Sequence, residues 1–185
     1  MRFASVIVLF FMLAGSAVAG DVTLPPKPAD QLDKLFGHLH DASAADDADK
    51  TVADIWSMWN HNSSPTAEVL LSEASAAMGS HEYDAAEQIL IQLIESYPDF
   101  AEGWNRRATL YFMEQRYDAS LVDIEHVLAL EPRHFGALAG KAAILRAQHK
   151  DIEALKVLKE TLVINPHMAS VVEAIKELEK AQPDI

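Results

Sequence analysis

A spacing of 34 residues recurs through this chain and constrains its fold more than any other feature. Pro98, Pro132 and Pro166 share one register, Ala74, Ala108 and Ala142 a second, and Ala86, Ser120 and Ala154 a third. Each register holds one chemical type, which chance does not readily produce, and a fixed period of this length marks a stacked array of like units. The residues between the registers explain the spacing. Two amphipathic helices that cross closely must both be small at the crossing, because bulk there would push the backbones apart. In the middle unit Ala108 is that residue on the first helix and Ser120 on the second. Trp104, Leu110, Tyr111, Leu121, Ile124, Val127 and Leu128 surround the contact. Proline cannot continue a helix interior, so Pro132 marks the exit towards the next unit. A single unit leaves apolar faces uncovered, and stacking hides them.

With these residues in place, the segment from Ala67 to Met168 resembles the tetratricopeptide repeat (TPR) family. Trp104, Ala108, Tyr111, Tyr117 and Pro132 fall on matching positions of the middle unit, with Ser120 in place of the usual Ala. The first unit matches at Ala74, Tyr83, Ala86, Leu90 and Pro98, with Leu70 replacing the aromatic. The third matches at Leu138, Ala142, Leu145, Ala154, Leu158 and Pro166. Asp151 stands where an aromatic is expected, so that turn should be packed less tightly. The resemblance implies an all-α, right-handed α-solenoid and a binding role, since the fold itself hosts many functions. Residues 102–111 and 131–138 also resemble small exported TPR proteins of alphaproteobacteria, which implies a periplasmic setting.

The 185 residues suffice for one domain with a core, and half of them are apolar. Met1-Arg2 precedes an uncharged run from Phe3 to Ala19 that ends Ala17-Val18-Ala19. A positive start, a short apolar middle and an Ala-x-Ala exit predict a secretory signal over residues 1–19, cleaved after Ala19. The run is short for a bilayer span of about 20 residues. No membrane association is therefore expected after cleavage. Residues 20–28, with Pro25, Pro26 and Pro28, read as an extended linker.

Residues 29–65 read as a degenerate helical hairpin. Leu32, Leu35, Phe36 and Leu39 form one stripe, and Val52, Ile55, Trp56 and Trp59 form another. The acidic stretch Ala45–Lys50 interrupts them. Terminal units are commonly atypical, and this one is expected to cap the array by packing Trp56 and Trp59 against the first clear unit. Three units follow at 67–100, 101–134 and 135–168. A closing helix spans 169–181, with Val171, Val172, Ile175 and Leu178 facing inward.

The chain carries 15 basic and 28 acidic residues, a net charge of −13. That balance opposes nucleic acid as a partner. With no cysteine, thiol chemistry and disulfides are ruled out. His38 and His40 lie two apart, about 200° around a helix rather than on one face. His81-Glu82 has Ala85 where a zincin motif needs its second histidine. Asp47-Ala48-Asp49 lacks the glycine and closing glutamate of a calcium loop. The eight histidines therefore read as surface residues, and no metal or cofactor is expected. Nucleophile-elbow and phosphate-loop motifs are missing too, so no enzyme is expected.

The architecture points to binding. Stacked hairpins curve, and the first helix of each unit lines the concave side. The positions that face the groove in the TPR family carry Leu71 and Met78 in the first unit, Asn105, Arg106, Thr109, Phe112 and Met113 in the second, and Arg146 in the third. The resemblance thus implies an apolar floor (Leu71, Met78, Phe112, Met113), two arginines, and a strip of Gly136, Ala139, Gly140 and Ala143 with room for something bulky. A terminal helix filling part of that room is the competing reading. The carboxylate clamp of chaperone-tail binders does not carry over, because its positions hold Leu71, Ser75, Arg106, Gly136 and Gly140. The expected role is a periplasmic adaptor or scaffold that takes a peptide or helix of an envelope protein. A structural role, in which the array ends or the last helix join copies, is the alternative.

Overall fold

The structure, a computed structural model, describes residues 28–181. The expected signal and most of the expected linker lie outside the described residues. Among the described residues the elements are nine helices: α1 Pro28–Asp41, α2 Ala45–Asn60, α3 Pro65–Gly79, α4 Tyr83–Ser96, α5 Ala101–Met113, α6 Tyr117–Leu130, α7 Phe135–Ala147, α8 Asp151–Ile164 and α9 Ala169–Ala181. This is an all-α solenoid in which α3/α4, α5/α6 and α7/α8 form successive hairpins. No described helix is long and apolar enough to cross a membrane.

The small-residue contacts are where the spacing puts them. Ala74, Ala86, Ala142 and Ala154 are fully buried, and Ala108 and Ser120 nearly so. Serine is tolerated at the middle crossing because its hydroxyl donates to the Ala108 carbonyl at 2.7 Å. A buried hydroxyl without such a partner would cost stability. The proline exits also repeat. Tyr97, Glu131 and Asn165, each preceding a proline, have φ of −136°, −136° and −130°. The following ring keeps each of them out of the helical region.

A fourth register appears only in the backbone. His81, Gln115 and His149 adopt φ of 61°, 60° and 57° at the turns inside the three units. Each turn closes with the same pair of bonds. Glu82, Arg116 and Lys150 donate to the carbonyls of Ala77, Tyr111 and Leu145 at 2.8–2.9 Å, and the left-handed residue donates to the carbonyl three positions back. This is the Schellman helix end, usually built with glycine. The Asp151 turn keeps the same backbone bonds as the other two. What it lacks is the aromatic of its counterparts, Tyr83 bonded to His81 at 2.8 Å and Tyr117 against Phe112 at 5.8 Å.

Two expectations for the N-terminal region are corrected. Ala45–Lys50 does not interrupt a helix but begins one, placing Asp46 and Asp47 at the positive end of the α2 dipole. The break between the two helices is the short link at residues 42–44. Trp56 and Trp59 do not pack on the first unit either. They reach across the concave side to His134 and Phe135, where α7 begins. Leu32, Leu39, Ala48, Ile55 and Trp59 share a core with Phe135, with Ile164 and Met168 packed at its edge. The hairpin is thus a plug in the array's hollow, held also by Asp33 to Arg133 at 2.7 Å and by His167 to the Leu39 carbonyl at 3.0 Å. At the other end, α9 covers the third unit with Val171, Ile175 and Leu178.

Candidate functional site

The groove is built by α5 and α7, whose concave faces meet around His134. On α5 the residues three, four, seven and ten positions apart from Glu102 share that face: Asn105, Arg106, Thr109 and Phe112. Glu102 is fully buried. Asn105 donates to its carboxylate at 2.9 Å and Arg106 at 2.8 Å. A charge taken out of water in this way is tolerable only when its oxygens are bonded. His134 supplies a third contact at 3.3 Å through Nε2. Its Nδ1 accepts from the Ala137 backbone N–H at 3.0 Å, capping α7. The ring proton therefore resides on Nε2, where it donates to Glu102. His134 is fully buried, which corrects the expectation of surface histidines at this one position.

Over this pair sits the plug. Trp59 stacks on the His134 ring with centroids 4.1 Å apart and planes 15° from parallel. Trp56 stands edge-on to His134 and Phe135 at 5.4 and 5.6 Å. The approach depends on Gly136. A Cβ there would lie 2.6 Å from one ring atom of Trp56 and 3.0 Å from another, inside contact distance. Trp59 Nε1 and Arg106 Nε are buried here without a hydrogen-bond partner among the described residues. Each such group costs about 1–3 kcal/mol.

One turn further along α7 the groove is open. A Cβ on Gly140 would meet only Ile124, at an ordinary 3.7 Å. Gly136, Gly140, Asn105, Thr109, Phe112 and Ile124 line a cavity of about 150 Å3 there. A cavity of that size accepts one benzene-sized ring. Its walls are mainly apolar, with the Asn105 amide and the Thr109 hydroxyl as polar points. Thr109 donates back to the Asn105 carbonyl at 2.9 Å.

The expected groove residues therefore divide. Asn105, Thr109 and Phe112 line the cavity, and Arg106 adjoins them through Glu102. Met113 is exposed at the end of α5, outside the lining. Arg146 is bonded to Glu177 of α9 at 3.0 Å and serves the C-terminal cap. Leu71 and Met78 are buried in the core with Ala74, Leu90 and Leu110, so they offer no open floor. Leu110 of α5 closes over them in that cluster, whereas the equivalent face of α5 meets Gly136 and Gly140 of α7 and stays open. Spacing alone did not reveal Glu102, His134 and the two tryptophans as one cluster. The signal available was the glycine strip at Gly136 and Gly140, which announced a bulky occupant without saying which.

Among the described residues no three histidine, aspartate or glutamate side chains converge as a metal site would require. Stacked helical hairpins with an aromatic-bearing hollow define a repeat array. A TPR repeat-containing protein of Rhizobium etli is 42% identical over 139 residues, covering 75% of this chain and 68% of that protein. The chain belongs to the TPR repeat proteins. No family model matches it. Among solved structures, the first TPR of Spaghetti (RPAP3) bound to an HSP90 peptide superposes with a TM-score of 0.61 at 20% identity. That match covers 64% of this chain and 97% of the other. A MamA structure (MSR-1) covers 84% of this chain and 87% of its own, with a TM-score of 0.54 at 19% identity. These likenesses are of fold.

Proposed function

We propose that the protein is a non-enzymatic adaptor that takes a peptide or helix of an envelope protein into its concave groove in the periplasm. One observation carries the reading: the ring-sized cavity over Gly140, flanked by Asn105, Thr109 and Phe112. An apolar side chain of the partner enters it, and the partner backbone bonds to the Asn105 amide. The peptide bound to the RPAP3 repeat supports a ligand role for such a hollow. The periplasmic setting rests on the Arg2-led apolar run and Ala17-Val18-Ala19. Mass analysis of the protein from the periplasmic fraction should find a chain beginning at Gly20.

The cavity is tested by filling it. Gly140→Leu puts its bulk into the cavity, and a Cβ at that position meets only Ile124, at 3.7 Å, so the fold should survive. Cross-linking in intact envelopes should capture a partner with the wild type and lose it with Gly140→Leu and with Phe112→Ala. An unchanged partner set in both variants, with melting intact, overturns the reading. Self-association is favoured by one specific feature, the apolar patch of Ile152 (61% exposed) and Val163 (77% exposed) on α8. Light scattering over a concentration series decides it, since a constant monomer mass removes that role.

A further inference from the structure

The plug occupies only the Gly136 end of the groove and leaves the Gly140 end vacant. We propose that the surface under Trp56 and Trp59 is itself a docking site for an amphipathic helix bearing two aromatics three residues apart, and that α2 is its resident in cis. The proposal rests on the groove reading above and names the partner's chemistry.

Several observations carry it. The hairpin is separable from the array, because the three other core clusters contain no residue of α1 or α2. Its own cluster borrows a single buried array side chain, Phe135. Removing the plug would leave the small-residue crossings untouched. The link to α3 is held by Asn62 N–H to Glu68 at 3.0 Å, Ser64 N–H to Asn62 at 2.9 Å and the Ser64 hydroxyl with that of Tyr97 at 2.8 Å, none of which involves α1 or α2. The resident's fit is also incomplete. Trp59 Nε1 and Arg106 Nε have no hydrogen-bond partner among the described residues, and a helix that offers an acceptor there would satisfy one of them.

The geometry also supplies a reason for exchange. A ligand displaces a resident only through better affinity for the shared site. Gly136 and Gly140 lie one turn apart on the same face of α7, and α2 covers only the first, so a helix with an aromatic placed for each can cover both. Its extra aromatic would enter the cavity that α2 leaves empty. The resident, being tethered, acts at an effective concentration in the millimolar range for a short link. A partner must overcome that competition, so the free groove is selective for ligands that use both ends.

The probe is a fluorescent synthetic peptide of residues 45–60, tested by anisotropy against the full chain after signal removal. Trp56→Ala combined with Trp59→Ala vacates the site and should bind the peptide at least about ten-fold more tightly than wild type. A peptide with both tryptophans replaced by alanine should lose this binding. Arg133→Glu removes the attraction for Asp33, the contact of Arg133 with the Phe36 ring, 4.4 Å to its centroid, and its bond to Glu131 at 3.1 Å, but changes none of the side chains under Trp56 and Trp59. It should bind the peptide several-fold more tightly than wild type, and this comparison decides the matter if the double variant does not fold. Hydrogen exchange at residues 45–60 of the wild type should accelerate when the peptide saturates it. A folded double variant that ignores the peptide, or Arg133→Glu indistinguishable from wild type, overturns the proposal. No natural partner enters this experiment, so its failure leaves the Gly140 cavity test standing and is not confused with it.

Discussion

Two helical hairpins of similar size meet different fates in this molecule. The α5/α6 pair closes on Ala108 and Ser120, turns through Gln115 at φ 60°, and ties Arg107 to Asp123 by two bonds of 2.8 Å. Its flanks match those of its neighbours, and it stacks between them. The α1/α2 pair has no positive-φ residue in its link, and it meets the array through large side chains. It therefore has no reason to continue the stack and lies across the hollow instead. Small residues at fixed spacing direct a hairpin into an array, whereas paired aromatics direct it to whatever glycine-lined surface will receive them.

The sharpest way to break this contrast is at the ion pair that only the stacked hairpin has. Asp123 is almost wholly buried and holds the Arg107 guanidinium. Asp123→Ala strands that cation against Trp104 and Tyr111 and should cost about 3 kcal/mol in denaturant titration. Ala108→Trp forces the crossing open and should cost about 1–3 kcal/mol or more. Both should lower the melting temperature of the whole array.

Gly136→Ala acts on the other hairpin. The added methyl group collides with the Trp56 ring and should cost about 1 kcal/mol, read as faster hydrogen exchange in α1 and α2. Exchange in α3–α6 should stay as it was. At the next level down, Gln115→Gly relieves the left-handed strain of the middle turn and should add about 0.5 kcal/mol of stability. His81→Gly and His149→Gly should do the same, whereas no position in the α1/α2 link offers that gain.

The smallest effect is pH-dependent. Glu87 is held below the ordinary glutamate range, chiefly by the hydrogen bond from Arg116. A carboxylate depressed in the folded state stabilises above its unfolded value and loses that contribution as pH falls through the folded one. Arg116→Ala should therefore lower the melting temperature slightly at neutral pH. That difference should shrink below pH 4.5, the ordinary glutamate value.

Much of the array was legible because one residue type at each register does one job. Ala74, Ala108 and Ala142 mark the crossings, and the prolines mark the exits. The turn register was not legible, because His81, Gln115 and His149 share a backbone angle and no chemistry. Leu71 and Met78 were misplaced for a different reason. Position within a unit says which face a side chain takes, but not whether the neighbouring helix covers it. The docking of Trp56 depends on Gly136, whose missing side chain becomes meaningful only once the chain has folded back.

The bonds from Asp33 to Arg133 and from Leu39 to His167 join parts of the chain 100 and 128 residues apart. Open solenoids hold only neighbours together and can loosen piece by piece from an end. Here the first hairpin also clasps the last unit, which ties the array across its length as well as step by step, and long-range closure of this kind slows folding. During synthesis the two leading tryptophans must also wait, uncovered, until the final third of the chain arrives to receive them.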